Sequence, residues 1–157
     1  LSKEIERKFL VANDGWRKGE ARADFLRDGL IASVDGRKVR VRLYGARATL
    51  TIKSKQNGPT RDEFEYDIPR ADAEKLIAEH CDGVVLEKTR HYVPHEGFVW
   101  EVDVYGGILS GVVLAEIELP DANTPFPRPD WVGDEVTGDP RYKKINMLAA
   151  RGVGRSA

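Results

Sequence analysis

The feature that most constrains this chain is a pairing of like charges two residues apart. It recurs along seven segments whose alternation of apolar and polar residues predicts β-strands. Successive side chains of a strand point to opposite sides, so each pair shares one face. Glu4, Glu6 and Lys8 lie opposite Ile5, Phe9 and Val11, and Arg40 and Arg42 opposite Val39, Val41 and Leu43. Thr49, Thr51, Lys53 and Lys55 oppose Leu50 and Ile52, while Glu63 and Glu65 oppose Phe64, Tyr66 and Ile68. Lys88 and Arg90 share a face, Glu101 and Asp103 oppose Trp100, Val102 and Val104, and Glu116 and Glu118 oppose Ala115, Ile117 and Leu119.

Two architectures accommodate this pattern. In an antiparallel sandwich the charged faces meet solvent and the apolar faces form the core. In a closed barrel with a polar lumen the charged faces point inward and the apolar exterior needs covering. Like charges at such spacing repel unless something compensates them. Metal ions would offset the carboxylates and a polyanion the Arg and Lys groups, provided all seven strands surround one ligand. Either way the fold reads as mainly antiparallel β in an α+β class; the sandwich is the commoner arrangement, whereas an eight-stranded closed barrel with a charged lumen and flanking helices satisfies the charge pairing. The two architectures make opposite burial predictions.

The strands are predicted near 3–11, 22–32, 37–44, 47–55, 61–68, 84–93, 97–105 and 112–119, with helices near 70–80 and 140–150. Asp139 is a plausible N-cap of the second helix and Pro140 suits its first position. Pro120, Pro125, Pro127 and Pro129 mark an extended segment between the strands and that helix, available as cover for the barrel. A length of 157 residues fits one domain, 1–157, with a core that needs no disulfide. With 25 basic and 26 acidic side chains the chain lacks the unbalanced positive charge of bulk nucleic-acid binders, so anion recognition must be local. A single cysteine, Cys81, no zinc-like Cys/His spacing and no long apolar stretch predict a soluble, cytoplasmic protein with no membrane association. His80, His91 and His95 have no spacing suited to a metal site or a triad, and Trp16, Trp100 and Trp131 are expected to pack beneath covering elements.

The charged strands resemble, in order, those of the CYTH superfamily, the triphosphate tunnel metalloenzymes. Glu4-Ile5-Glu6-Arg7-Lys8 is similar to its N-terminal Glu-x-Glu-x-Lys motif, Arg40-Val41-Arg42 to its paired-arginine strand, and Thr51-Ile52-Lys53 to its lysine strand. Glu63-Phe64-Glu65, Glu87-Lys88-Thr89-Arg90, Glu101-Val102-Asp103 and Glu116-Ile117-Glu118 resemble the remaining tunnel strands, and 131–137 resembles a segment of small bacterial members. The resemblance implies an eight-stranded tunnel that binds a metal-complexed triphosphate. The Glu-Lys-Thr-Arg strand is most similar to that of inorganic tripolyphosphatases.

What the resemblance implies for the site follows the chemistry of phosphoryl transfer, which asks mainly for charge neutralisation and alignment. Arg40, Arg42, Lys53, Lys88 and Arg90 would hold phosphate oxygens. Glu4, Glu6, Glu116 and Glu118, with Asp103 in support, would hold Mg2+ or Mn2+. Lys8, with Glu4 and Glu6, would act at the scissile phosphate or help deprotonate the attacking water. Glu63, Glu65, Glu101 and Lys143 form a second tier. Two positions depart from the family: Gly29-Leu30 stands where relatives carry Gly-Tyr, and Arg141-Tyr142-Lys143-Lys144 lacks the asparagine that usually follows Tyr-Lys. Tripolyphosphate hydrolysis to pyrophosphate and orthophosphate is the first expectation. An organic triphosphatase acting on thiamine triphosphate or a nucleotide, an adenylyl cyclase, and a polyphosphate-binding module without turnover are the alternatives.

Overall fold

The computed structural model describes residues 3–153. Its strands are β1 (Lys3–Val11), β2 (Arg22–Val34), β3 (Arg37–Tyr44), β4 (Arg47–Lys53), β5 (Thr60–Asp67), β6 (Asp82–His95), β7 (Phe98–Tyr105), β8 (Val113–Glu118) and β9 (Val132–Glu135), with helices α1 (Arg70–Glu79) and α2 (Lys144–Ala150). Every pairing is antiparallel, in the order β5-β4-β3-β2-β6-β7-β8-β1, and a further β5–β1 pairing joins the two ends. That pairing closes an eight-stranded barrel, as expected. Two of its hairpins turn on two residues with positive φ, Asp35-Gly36 and Glu96-Gly97, the conformation that matches the twist of the flanking strands.

The ninth strand was not foreseen. β1 pairs with β8 along one edge, and with β5 only through Lys3–Ile5 on the other. Its remaining edge at Phe9 and Val11 would be unpaired, and β9 covers it. The predicted last helix is also divided: a 3-10 turn at Pro140–Tyr142, capped by Asp139, precedes α2 across an extended Lys143.

The outward apolar faces are covered in two places. Phe9, Trp100, Val102, Ala115 and Ile117 pack beneath Trp16, Trp131 and Phe126, supplied by a 3-10 segment (Asp14–Gly19) and the proline-rich stretch. α1 lays Ala73 and Ile77 on Val41, Leu43 and Ala48. Met147 and Leu148 of α2 instead meet Leu109 and the inward-facing Leu86, Tyr105 and Leu114, two residues along from Lys88, Asp103 and Glu116, forming an apolar cluster at one end of the lumen. All three tryptophans are therefore packing residues. The charged faces are left to line the lumen, which decides between the two architectures.

Candidate active site

Inward charges from the strands of the ring, joined by Lys143 and Lys144 from the C-terminal segment, line a cavity of about 800 Å³. Of the residues expected to bind phosphate or metal, Asp103 alone is absent from its lining. All the others and Lys8 are present.

On one side the cations are tied to buried carboxylates. Arg42 on β3 faces Asp28 on β2 across the ladder and donates from Nε and Nη2 to both carboxylate oxygens, at 2.6 and 2.8 Å. Asp103 on β7 accepts from Arg90 at 2.8 and 2.9 Å, and Lys88 Nζ lies 2.8 Å from its Oδ2. Burial alone would raise these two carboxyls. The Arg42 guanidinium instead holds Asp28 well below the usual range, and Lys88 with Arg90 brings Asp103 to about 2. Asp103 was expected to support the metal set, but here both of its oxygens are engaged by cations and it acts as their anchor.

Other cations on the same side have no anion. Arg40 is half-buried, its Nε has no hydrogen-bond partner, and burial together with Arg42 lowers its pKa. Lys38 shares the Arg40 face, faces Lys53 across the ladder, and is brought to about 8 by burial and by Arg61, Lys53, Lys8 and Lys143. Neither makes an ion pair among the described residues.

The opposite side carries carboxylates against each other. Lys8 and Glu101 both face Glu116 across their ladders, and Glu6 faces Glu118. Burial and the adjacent Glu116 push Glu6 well above the usual carboxylate range. Burial also raises Glu101, despite Arg90 3.5 Å away, and raises Glu118 with help from Glu4. Glu4 lies 3.4 Å from Lys53 and 3.3 Å from Arg61, while burial and Glu4 push Glu63 up to about 7. Glu63 Oε2 has no hydrogen-bond partner, although Lys53 Nζ lies 3.5 Å away. Glu65 and Lys143 are exposed at the cavity margin.

No group of three or more His, Cys, Asp or Glu among the described residues is gathered closely enough to enclose an ion. The donor set nevertheless fits a hard divalent cation. Every donor is a carboxylate oxygen, and Glu6 is driven toward its neutral form by burial and by Glu116, whose repulsion a cation would offset.

Sequence reasoning missed Asp28, Lys38, Arg61 and Lys144. Lys38 and Arg61 were accessible to it, since each lies two residues from a chosen residue, on the same strand face. Asp28 was obscured by Leu26, the apolar neighbour on its face, and Lys144 by its helix. Leu30 has an explanation in β2 itself. The ladders shift register around it, and it does not line the cavity. Gly29 passes so near α1 and the residues after it that an added Cβ would lie 3.2 Å from Ile77 Cγ1 and 2.7 Å from Cys81 Sγ.

A closed antiparallel tunnel with cations along one side and carboxylates along the other defines the class to which the fold and site belong. The CYTH domain model matches residues 2–149. The chain belongs to the CYTH family. It is 44% identical over 148 residues to an inorganic triphosphatase of Acetivibrio thermocellus, covering 94% of each chain. It is 40% identical over 145 residues to the inorganic triphosphatase of Nitrosomonas europaea, covering 89% of this chain and 93% of that one. The crystal structure of the inorganic triphosphatase NE1496 superposes with a TM-score of 0.66 at 36% identity, covering 92% of this chain and 97% of the other.

Proposed function

We propose that this chain is a divalent-metal-dependent triphosphatase that hydrolyses inorganic tripolyphosphate to pyrophosphate and orthophosphate. The observation that carries the reading is the presence, in one closed cavity, of inward cations without counter-ions opposite carboxylates that repel one another. A metal-complexed polyphosphate satisfies both sides at once. The name shared by two relatives of 40% identity or more narrows the ligand to an inorganic triphosphate.

Arg40 and Lys38 would take phosphate oxygens directly. Arg42, Lys88 and Arg90, held in place by Asp28 and Asp103, would present donors that need no reorganisation when charge develops. Lys53 would join them by exchanging part of its contact with Glu4 and Glu63 for phosphate. Lys8, which faces Glu116 across the β1–β8 ladder, would hold the scissile phosphoryl group. Glu4, Glu6, Glu116 and Glu118 would hold the ion, Mg2+ or Mn2+. Bound there, the ion would supply charge neutralisation for the phosphate oxygens and would acidify a water. Each of the two aromatic rings in its described lining, Tyr92 and Tyr44, carries an arginine. Arg22 stacks 3.8 Å over Tyr92, and Arg47 lies 5.0 Å over Tyr44.

No helix among the described residues is long and apolar enough to cross a membrane, and Cys81 is unbridged. Both accord with our placing the protein in the cytoplasm. The test is orthophosphate release from tripolyphosphate, thiamine triphosphate and ATP with Mg2+ and with Mn2+, comparing the native chain, Glu4→Gln and a chelated control. Metal-dependent release that favours tripolyphosphate and disappears in Glu4→Gln is expected. Equal or faster release from an organic triphosphate would overturn the substrate assignment, and no release from any of the three would overturn the enzyme.

A further inference from the structure

Resting on the reading that the tunnel binds a triphosphate, we propose that Lys144 of α2 is a substrate-contacting residue that reaches the phosphate chain from outside the barrel strands. The helix is seated by Met147 and Leu148, which pack against Leu86, Tyr105, Leu109 and Leu114. Residues three and four apart share a helix face, so Lys144 lies on the same inward face as both anchors. Its neighbours Lys143 and Ile145 also border the cavity but are exposed, whereas Lys144 is half-buried in the lining it shares with Arg40, Arg42 and Lys88.

Lys144 has no ion pair or side-chain hydrogen bond among the described residues. The charge of Lys88 acts on it first, then burial, then Arg40 and Arg42, and together they push its pKa well down. Asp28 is the carboxylate that opposes them most, and both of its oxygens already lie in the Arg42 fork. A lysine in this position is disfavoured as a cation in the empty tunnel. An anion with several charges, shared among Lys144, Arg40 and Lys88, removes the repulsion and gives the ammonium its missing acceptors. Lys144 is therefore a further phosphate contact, supplied by the element that also covers the ends of β6, β7 and β8. A residue that merely filled space there would influence stability and leave phosphate affinity alone.

The experiment measures kcat and KM for tripolyphosphate with Mg2+, and tripolyphosphate affinity by calorimetry without added metal. The proteins are the native chain, Lys144→Gln, Lys144→Arg and the surface control Lys75→Gln. Lys144→Gln is expected to raise both KM and Kd about tenfold, equivalent to about 1.4 kcal/mol, with kcat changed less than about threefold. Lys144→Arg should recover most of the loss, and Lys75→Gln should match the native chain. Native affinity and KM in Lys144→Gln, with the native enzyme active, would overturn the Lys144 assignment and leave the function standing. A native chain that neither binds nor hydrolyses tripolyphosphate would overturn both.

Discussion

On the Asp28 and Asp103 side of the tunnel, buried opposite charges meet at 2.6 to 2.9 Å and favour the ionised forms of Asp28, Asp103, Arg42 and Arg90, while burial still lowers the pKa of Lys88. On the Glu6 and Glu116 side, buried like charges face each other and the carboxyl of Glu6 is driven toward neutrality. The same barrel thus treats buried charge in two ways. The ion pairs of the first side are complete without a ligand, so Arg42, Lys88 and Arg90 are fixed before substrate arrives, even though Arg40 and Lys38 beside them have no anion. The second side is incomplete and is relieved only by a cation. Stability should depend on the first, and metal loading on the second.

The largest effect should come from breaking these ion pairs. Asp103→Ala leaves Lys88 and Arg90 buried without their shared counter-ion, and removing one partner of a buried pair costs about 3–5 kcal/mol. Urea denaturation should show that loss, and an unchanged midpoint would mean water reaches the pair. The acid limb has a definite sign. Asp28 and Asp103 are depressed in the folded state, so their contribution is fully present above the unfolded value near 3.8 and is lost as pH falls through their folded values, about 2 for Asp103. Stability should therefore decline between about pH 4 and 2, and less steeply in Asp103→Asn.

On the incomplete side the same kind of change should act in reverse. Glu6→Gln removes a repulsion, so the metal-free protein should unfold at the same urea concentration as the native chain or a higher one. Turnover should fall about 10²–10³-fold, comparable to the loss of one charge-stabilising group from an active site. Added Mg2+ should raise the melting temperature of the native chain more than that of the variant. A variant that is both less stable and fully active would abolish the distinction between the two sides.

The barrel could be read from sequence because a period of two places Arg40 with Arg42 and Glu116 with Glu118 whatever the partner strands are. The site was legible for the same reason, wherever a functional residue belonged to such a pair. Which cations would be free was not legible. Arg40 and Arg42 are equivalent by spacing, yet Asp28 pairs with only one of them, and that choice depends on the register between β2 and β3. β9 escaped notice because Gly133 and Asp134 lack the alternation of a half-buried strand. Its place is dictated by the bare edge of β1, a tertiary demand. Lys144 belongs to a helix whose facing is set by Met147 and Leu148, and no strand period reports on it.

The smallest effect is expected at the rim, where an ion pair of nearly the same geometry meets water. Arg47 Nη2 lies 3.0 Å from Asp67 Oδ1, close to the 2.6 and 2.8 Å of Arg42 and Asp28, but these two side chains are 63% and 76% exposed against 4% and 6%. Water and salt screen the exposed charges, and ordering two long side chains offsets what attraction remains. Asp67→Ala should therefore leave the urea midpoint and the KM for tripolyphosphate within the error of measurement, at low and high salt alike. A salt-sensitive shift in KM alone would instead assign the rim a part in drawing the polyanion toward the tunnel, with the buried pairs retaining the structural role.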